Sequence, residues 1–276
     1  MDEVNYPDAV VISPVGHIVS DWREVENMPL GGRSAVIRLR PDYQPALLRI
    51  GEHSHLWVLT WFHQTNRSLL RVRPSKVNPQ LPEYGVFALR SAARPNPIAL
   101  TLVKLEKVEG CDLIVTGIDA VDGTRVLDIK PYFEHDIVFS PVTPYIPPQD
   151  RGVQAELLRK QALIHHGEAC LGLELGVRMA LLAEERFGQL QSSSLALSVS
   201  GDPCLADVLQ GLTRARLANP PRFAYAATEG HSGVLWAKDG DCLRLTVRPG
   251  LDAARAREAA AEDLFQLDDG CAPDNE

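Results

Sequence analysis

The stretch I-A-L-T-L-V-K-L-E-K-V-E-G-C-D-L-I-V-T-G-I, Ile98 to Ile118, decides the fold. It holds two apolar-rich runs, Ile98 to Val108 and Leu113 to Ile118, parted by E-G-C-D (Glu109 to Asp112), which reads as a hairpin turn. Upstream, His55 to Phe62 is a bulky apolar run suited to a strand buried on both faces. Before it, Ser34 to Arg40 sets Ile37 and Leu39 among charged neighbours, and a first strand begins near Gly16. Downstream, Asp122-Gly123 is a strong turn pair. It leads into a strand on which Asp128, Lys130 and Tyr132 alternate on one face and Pro131 marks an edge or an end. No glycine-rich dinucleotide loop follows any of these runs. Many short strands without intervening helices, from Val10 to about Val138, predict an all-β, barrel-like N-terminal domain over residues 1–140.

Just before the deciding hairpin stands R-S-A-A-R-P-N-P-I, Arg90 to Ile98. Pro95 and Pro97 fix two φ angles and bias Arg94 and Asn96 toward extended backbone, so the expectation is a stiff loop holding both polar side chains outward. A stiff loop beside the charged face of Asp128 and Lys130 reads either as a prearranged polar site or as a solvated loop beside a polar strand.

The 276 residues leave room for one large or two ordinary domains, and 45% hydrophobic content is enough for a core in each half. No run approaches the roughly 18 apolar residues of a membrane span. The acidic start M-D-E-V-N-Y-P-D lacks the apolar core of a secretory signal. Five widely spaced cysteines without C-x-x-C suit a reduced, cytoplasmic protein. The net charge of −8 is awkward for a partner of nucleic acid, but residues 1–149 carry 15 Lys+Arg against 17 Asp+Glu. Arg67, Arg71, Arg73, Lys76, Arg90 and Arg94 cluster there, and a local basic patch can bind phosphates on a chain that is acidic overall.

S-P-V-T-P-Y-I-P-P-Q (Ser140 to Gln149) is proline-dense and nearly uncharged, which makes residues 141–150 a stiff linker. Beyond it the pattern predicts an α+β domain over 151–267. Helices are expected at Ala155 to Ile164, Leu171 to Leu190 and Leu205 to Leu217, strands at Leu195 to Val199 and Phe223 to Thr228, and a hairpin through K-D-G-D (Lys238 to Asp241). Leu251 to Leu267 reads as a closing Ala-rich helix and 268–276 as a disordered tail.

Several strings in order carry a family resemblance over residues 10–140: N-M-P-L-G-G (Asn27 to Gly32), H-S-H-L-W-V-L-T-W-F-H-Q (His53 to Gln64), G-V-F-A-L-R-S (Gly85 to Ser91) and D-I-K-P-Y (Asp128 to Tyr132). Together they resemble the TrmO (TsaA-like, YaeB-like) family of S-adenosylmethionine-dependent tRNA methyltransferases. The resemblance implies a compact β-barrel that usually forms a homodimer. It also implies methylation of N6 of the threonylcarbamoyl-modified adenosine beside the tRNA anticodon. Carried over by motif, Pro29, Leu30 and Gly31 give a close backbone approach to the donor. His63 and Gln64 bond its polar ends, and Arg90 grips its methionine carboxylate. Asp119 with Thr116, Gly117 and Ile118 holds its ribose or adenine, and Leu100 completes the set. His63 reads equally as a core residue ending a buried strand. Asp128 is the candidate for accepting the amine proton, with Lys130 and Tyr132 positioning the substrate and Arg94 and Asn96 touching tRNA; Asp128 and Lys130 read alternatively as a simple ion pair.

In the second half, H-H-G-E-A-C-L-G (His165 to Gly172), C-L-A-D-V-L-Q-G (Cys204 to Gly211) and E-G-H (Glu229 to His231) resemble the FmdE family over residues 155–250. Its pattern H-G-H-x-C-P-G has Glu168 in place of the second His and Leu171 in place of the Pro. His166, Cys170, Cys204 and Asp207 would suit a soft divalent metal such as zinc, with His166 and Cys170 on one helical face; a buried thiol pair beside a helix-start His is the other reading. Two functional alternatives stay open: a small-molecule or pterin-type methyl acceptor, and a non-catalytic protein that binds S-adenosylmethionine and metal.

Overall fold

In a computed structural model of the chain, residues 9–26 and 28–268 are described. The acidic start, Asn27 of the first family string and the tail after Asp268 lie outside them. Two compact units form: residues 9–75 with 80–137, and residues 76–79 with 138–268.

The first unit contains eight strands: β1 (Gly16–Val19), β2 (Arg33–Leu39), β3 (His55–Trp61), β4 (Arg71–Val72), β5 (Tyr84–Gly85), β6 (Ile98–Glu109), β7 (Asp112–Ile118) and β8 (Arg125–Pro131). Six of them close a barrel in the order β1-β2-β7-β6-β3-β8, while β4 and β5 pair as a separate ribbon. Every ladder is antiparallel. The all-β expectation therefore holds, and the deciding hairpin forms with Glu109 opposite Asp112. Closure follows from alternation: Ile18, Ile37, Leu56, Val58, Val103, Leu113, Val115 and Val126, all 0% exposed, point to one interior. The expectation of a β3 buried on both faces is corrected, because only Leu56, Val58 and Thr60 are buried and the alternate residues are half-exposed. Barrel strands have a filled inside and a partly solvated outside.

One glycine lets the barrel close. Gly32 has φ +68°, and a Cβ there would lie 2.5 Å from the Gly117 carbonyl oxygen. The start of β2 can therefore cross the end of β7 only with hydrogen as the side chain.

The second unit contains α1 (Arg151–His166), α2 (Leu171–Phe187), β9 (Ala196–Ser200), α3 (Pro203–Thr213), β10 (Phe223–Ala226), β11 (Gly233–Lys238), β12 (Asp241–Val247), α4 (Ala253–Glu258), α5 (Ala261–Leu264) and β13 (Phe265–Asp268). This is the expected α+β class. The sheet runs β10-β9-β11-β12-β13, with only β10 and β9 parallel. Asp150 and Asp202 cap α1 and α3 by accepting from Val153 N and Cys204 N. α2 buries Leu173, Leu175, Met179, Ala180 and Ala183 against the sheet core.

The single closing helix expected over Leu251 to Leu267 is corrected. Two short helices form, and Phe265 then pairs with Val247 as an edge strand. Leu264 and Phe265 are 0% and 1% exposed, and their burial overrides alanine's helix propensity. α3 ends at Thr213, four residues short of the expectation, where Arg214 takes a left-handed conformation. The proline-dense segment forms neither helix nor strand. Ser140 donates to Arg214 O at 2.9 Å, Gln189 to Thr143 Oγ1 at 3.3 Å, and Gln149 N to Val77 O at 3.0 Å, all within this unit. Cys111, Cys170 and Cys204 are free thiols. No helix among the described residues is long and apolar enough to cross a membrane.

Candidate functional site

A cavity of about 510 Å³ opens where the start of β6 and the end of β7 meet the turn at 31–32 and the loop at 87–97. Of the expected donor-binding residues, Gly31, Arg90, Leu100, Gly117 and Asp119 line it. Arg90 is exposed and has no hydrogen-bond or ion partner among the described residues. Asp119 accepts from Thr101 Oγ1, so a half-turn after β7 its carboxylate is held in place by a β6 residue that is 9% exposed. A smaller cavity of about 90 Å³ shares Phe62, Ala92 and Asp119 with the first and adds His63 and Gln64. His63 and Gln64 are exposed, their side-chain nitrogens 3.3 Å apart, so His63 is not a core residue. Thr124, 1% exposed, lines this smaller cavity and has a buried Oγ1 without a partner among the described residues. Pro29, Leu30, Thr116 and Ile118 line neither cavity. Pro29 accepts from Gly32 N in the turn, Thr116 bonds Ser34, and Ile118 is 1% exposed in the barrel core.

The expectation that the paired prolines hold Arg94 outward is corrected. Its Nη2 turns inward and donates to Val86 O and, at 2.7 Å, to Leu89 O. A guanidinium folded back on two carbonyls pins its own loop. Its buried Nε has no partner among the described residues, and the side chain lines the 510 Å³ cavity. Asn96 remains exposed, as expected.

Asp128, Lys130 and Tyr132 stand elsewhere on the barrel. Asp128 lines a separate cavity of about 550 Å³ floored by Val15, Leu39, Leu47 and Ile129. Its carboxylate accepts from Ile129 N at 2.9 Å and pairs with Lys130 Nζ at 3.0 Å. The Tyr132 ring lies 6.0 Å from that of Trp57 and 6.4 Å from that of His55. Within one chain, the D-I-K-P-Y face and the Arg90 cavity are thus two sites.

In the second unit, ligand atoms of His166, Cys170 and Cys204 all lie within 4.8 Å of one another. His166 and Cys170 are not on one helical face, contrary to expectation: His166 ends α1, and Cys170 caps α2 by accepting from Leu173 N. Cys204 arrives because α2 and α3 cross closely; a Cβ on Gly172 would lie 2.7 Å from the Cys204 Cβ. Asp207 accepts at 2.7 Å from His166 Nδ1, which leaves Nε2 facing Cys170 Sγ at 3.4 Å. A carboxylate that fixes the far ring nitrogen is the usual support for a metal-ligating histidine. The donor set therefore fits a soft divalent ion, with Asp207 orienting a ligand rather than supplying one. Burial, then Asp202 and Cys170, push the Cys204 thiol up to about 11; a cation among these donors reverses that logic.

Sequence reading missed Thr101, which fixes Asp119, and Phe87 at the cavity rim. Both sit in strings quoted for other residues, and neither type carries a charge that would single it out.

Comparison with known proteins agrees with this division. Residues 17–136 match the model of the tRNA-methyltransferase O N-terminal domain, and residues 165–269 match FmdE, described as molybdenum formylmethanofuran dehydrogenase operon. A probable S-adenosyl-L-methionine-binding protein of Archaeoglobus fulgidus is 34% identical over 271 residues, which span 94% of this chain and 72% of that protein. One of the same description from Methanothermobacter thermautotrophicus is 40% identical over 127 residues, 45% of this chain and 90% of its own length. The tRNA (adenine(37)-N6)-methyltransferase of Mus musculus is 47% identical over 89 residues, 32% of this chain but 20% of the mouse protein.

Proposed function

Since the chain belongs to the tRNA-methyltransferase O family, we propose that it transfers a methyl group from S-adenosylmethionine to N6 of the threonylcarbamoyl-modified adenosine beside a tRNA anticodon. The observation that carries this reading is the 510 Å³ barrel cavity, with unpaired Arg90 on one side and Thr101-fixed Asp119 on another. That pairing suits a ligand with a carboxylate at one end and a ribose at the other.

The bound donor supplies an activated methyl carbon on a sulfonium; the chain's own residues bind, orient and exclude water. Arg90 takes the donor's carboxylate, Asp119 accepts from its ribose hydroxyls, and Gly31 and Gly117 let backbone approach closely. The acceptor nitrogen must be held in line, about 3 Å from the methyl carbon. That nitrogen is weakly nucleophilic because its lone pair is delocalised into the ring, so a base that accepts its proton speeds the step. Asp128 has that role, with Lys130 and Tyr132 placing the substrate and Asn96 contacting tRNA. Because Asp128 lies outside the Arg90 cavity of its own chain, it serves the cavity of a second copy in a homodimer.

The test is incubation with methyl-labelled donor and tRNA that carries or lacks the threonylcarbamoyl group. Label in the modified tRNA alone is expected, and label in neither removes the substrate claim. A small neutral acceptor is the reading that the net charge of −8 favours. Salt separates the two, since tRNA affinity falls steeply with ionic strength while that of a neutral acceptor barely moves.

In the second unit, His166, Cys170 and Cys204 hold a soft divalent ion such as zinc, and the unit is an accessory module. Elemental analysis of protein purified without chelator is expected to find zinc, and Cys204→Ser to lose it.

A further inference from the structure

Phe87 is 85% exposed, a large apolar ring on a segment that is firmly held. Val86 beside it is 1% exposed, and its amide donates to Leu70 O at 3.1 Å. Arg94 bonds the carbonyls of Val86 and Leu89, one on each side of the ring. The backbone is thus fixed while the ring stands in solvent at the rim of the Arg90 cavity. Leu100 and Leu102, 47% and 38% exposed, continue the apolar rim. An aromatic ring on a rigid carrier meets a flat ligand with little ordering cost.

Resting on the methyltransferase reading above, we infer that Phe87 is the platform on which the acceptor nucleobase stacks. The base is unpaired and turned out of its strand. It lies face to face with the ring while its ribose and phosphates stay in solvent. The position of the ring suits this occupant, because a base tethered to a polymer can reach the rim of the cavity but no deeper. Unpaired loops, unlike duplex RNA, present bases in this way. Stacking tolerates any base, so Phe87 positions the acceptor and other contacts identify it.

The experiment uses the full chain, an anticodon stem-loop RNA that carries the threonylcarbamoyl group, and the variants Phe87→Ala, Phe87→Leu and Phe87→Trp. Loss of one base–aromatic stack is expected to lower kcat/KM for RNA by roughly 5- to 150-fold in the alanine variant. Tryptophan restores the rate, whereas leucine, which keeps apolar bulk without a flat face, does not. Donor affinity by calorimetry and melting temperature stay at wild-type values. With 2-aminopurine at the target position, fluorescence is quenched on binding to wild type and stays bright with the alanine variant. The inference is overturned if leucine matches wild type, or if alanine weakens donor binding as much as transfer, which would give the ring to the donor. Conversion of a dimer to a monomer by the alanine change would overturn it too, by giving the ring to a second copy. A wild-type chain that binds no donor sinks the methyltransferase reading itself. Donor binding and transfer that both survive Phe87→Ala sink only the platform.

Discussion

Replacing Arg90 by Ala removes an exposed guanidinium from the cavity and breaks no hydrogen bond or ion pair within the described residues. A lost charge-assisted hydrogen bond should weaken donor binding by about 1.5–3 kcal/mol, roughly 10- to 150-fold. Titration calorimetry checks this, with an unchanged melting temperature as the control; equal affinity in the variant removes Arg90 from the donor site. Arg94, four positions on, should behave in the opposite way, because its guanidinium holds Val86 and Leu89 in place. At this scale the sequence was legible by residue type only. The prolines at 95 and 97 each fix a φ angle, but a fixed backbone angle does not say which way an arginine points. Two free carbonyls within reach drew Arg94 inward. Asp128 was legible as a polar residue on a strand face, but its cavity depends on how the barrel closes, and spacing along one strand carries no such information.

Among the elements, the proline-dense segment before α1 carries Tyr145 against Glu184 of α2. Burial first, and then the Glu184 charge, push the Tyr145 phenol up to about 12. The folded state therefore keeps a proton that the unfolded chain releases near pH 10. Between about pH 10 and 12 the unfolded state binds fewer protons, so stability falls as pH rises through that window. Replacing Tyr145 by Phe should flatten this alkaline loss, as measured by denaturant melts at several pH values; an identical slope in the variant refutes it. The elements themselves were largely legible, since period-two alternation in β2, β3, β6 and β7 dictates which side faces inward. The failure at Leu251 to Leu267 has a clear cause. A helix-favouring composition competes there with a sheet edge that can bury Leu264 and Phe265, and only tertiary structure shows that edge.

At the scale of the whole molecule, the separation of Asp128 from the Arg90 cavity gives a sharp test of assembly. If each site draws Arg90 from one copy and Asp128 from another, Arg90→Ala and Asp128→Ala each lose most activity alone at a donor concentration below saturation of the variant. Mixed after dissociation and reassembly, they should recover about a quarter of wild-type activity, since half the dimers are mixed and each mixed dimer rebuilds one of two sites. No recovery, with reassembly shown by size, means that each chain works alone. The two-part organisation was legible from the change of texture after the prolines. That Val77, early in the chain, bonds Gln149 in the second unit was not, because no local pattern foretells a four-residue excursion.

Gly172 and Gly176 act as a gauge for the distance between two sulfurs. A Cβ on Gly172 would strike Cys204 and the Leu205 amide, and one on Gly176 the Val208 side chain, so the spacing of Cys170 and Cys204 follows from how closely α2 and α3 cross. A single methyl group added at Gly172 would pry the two thiols apart.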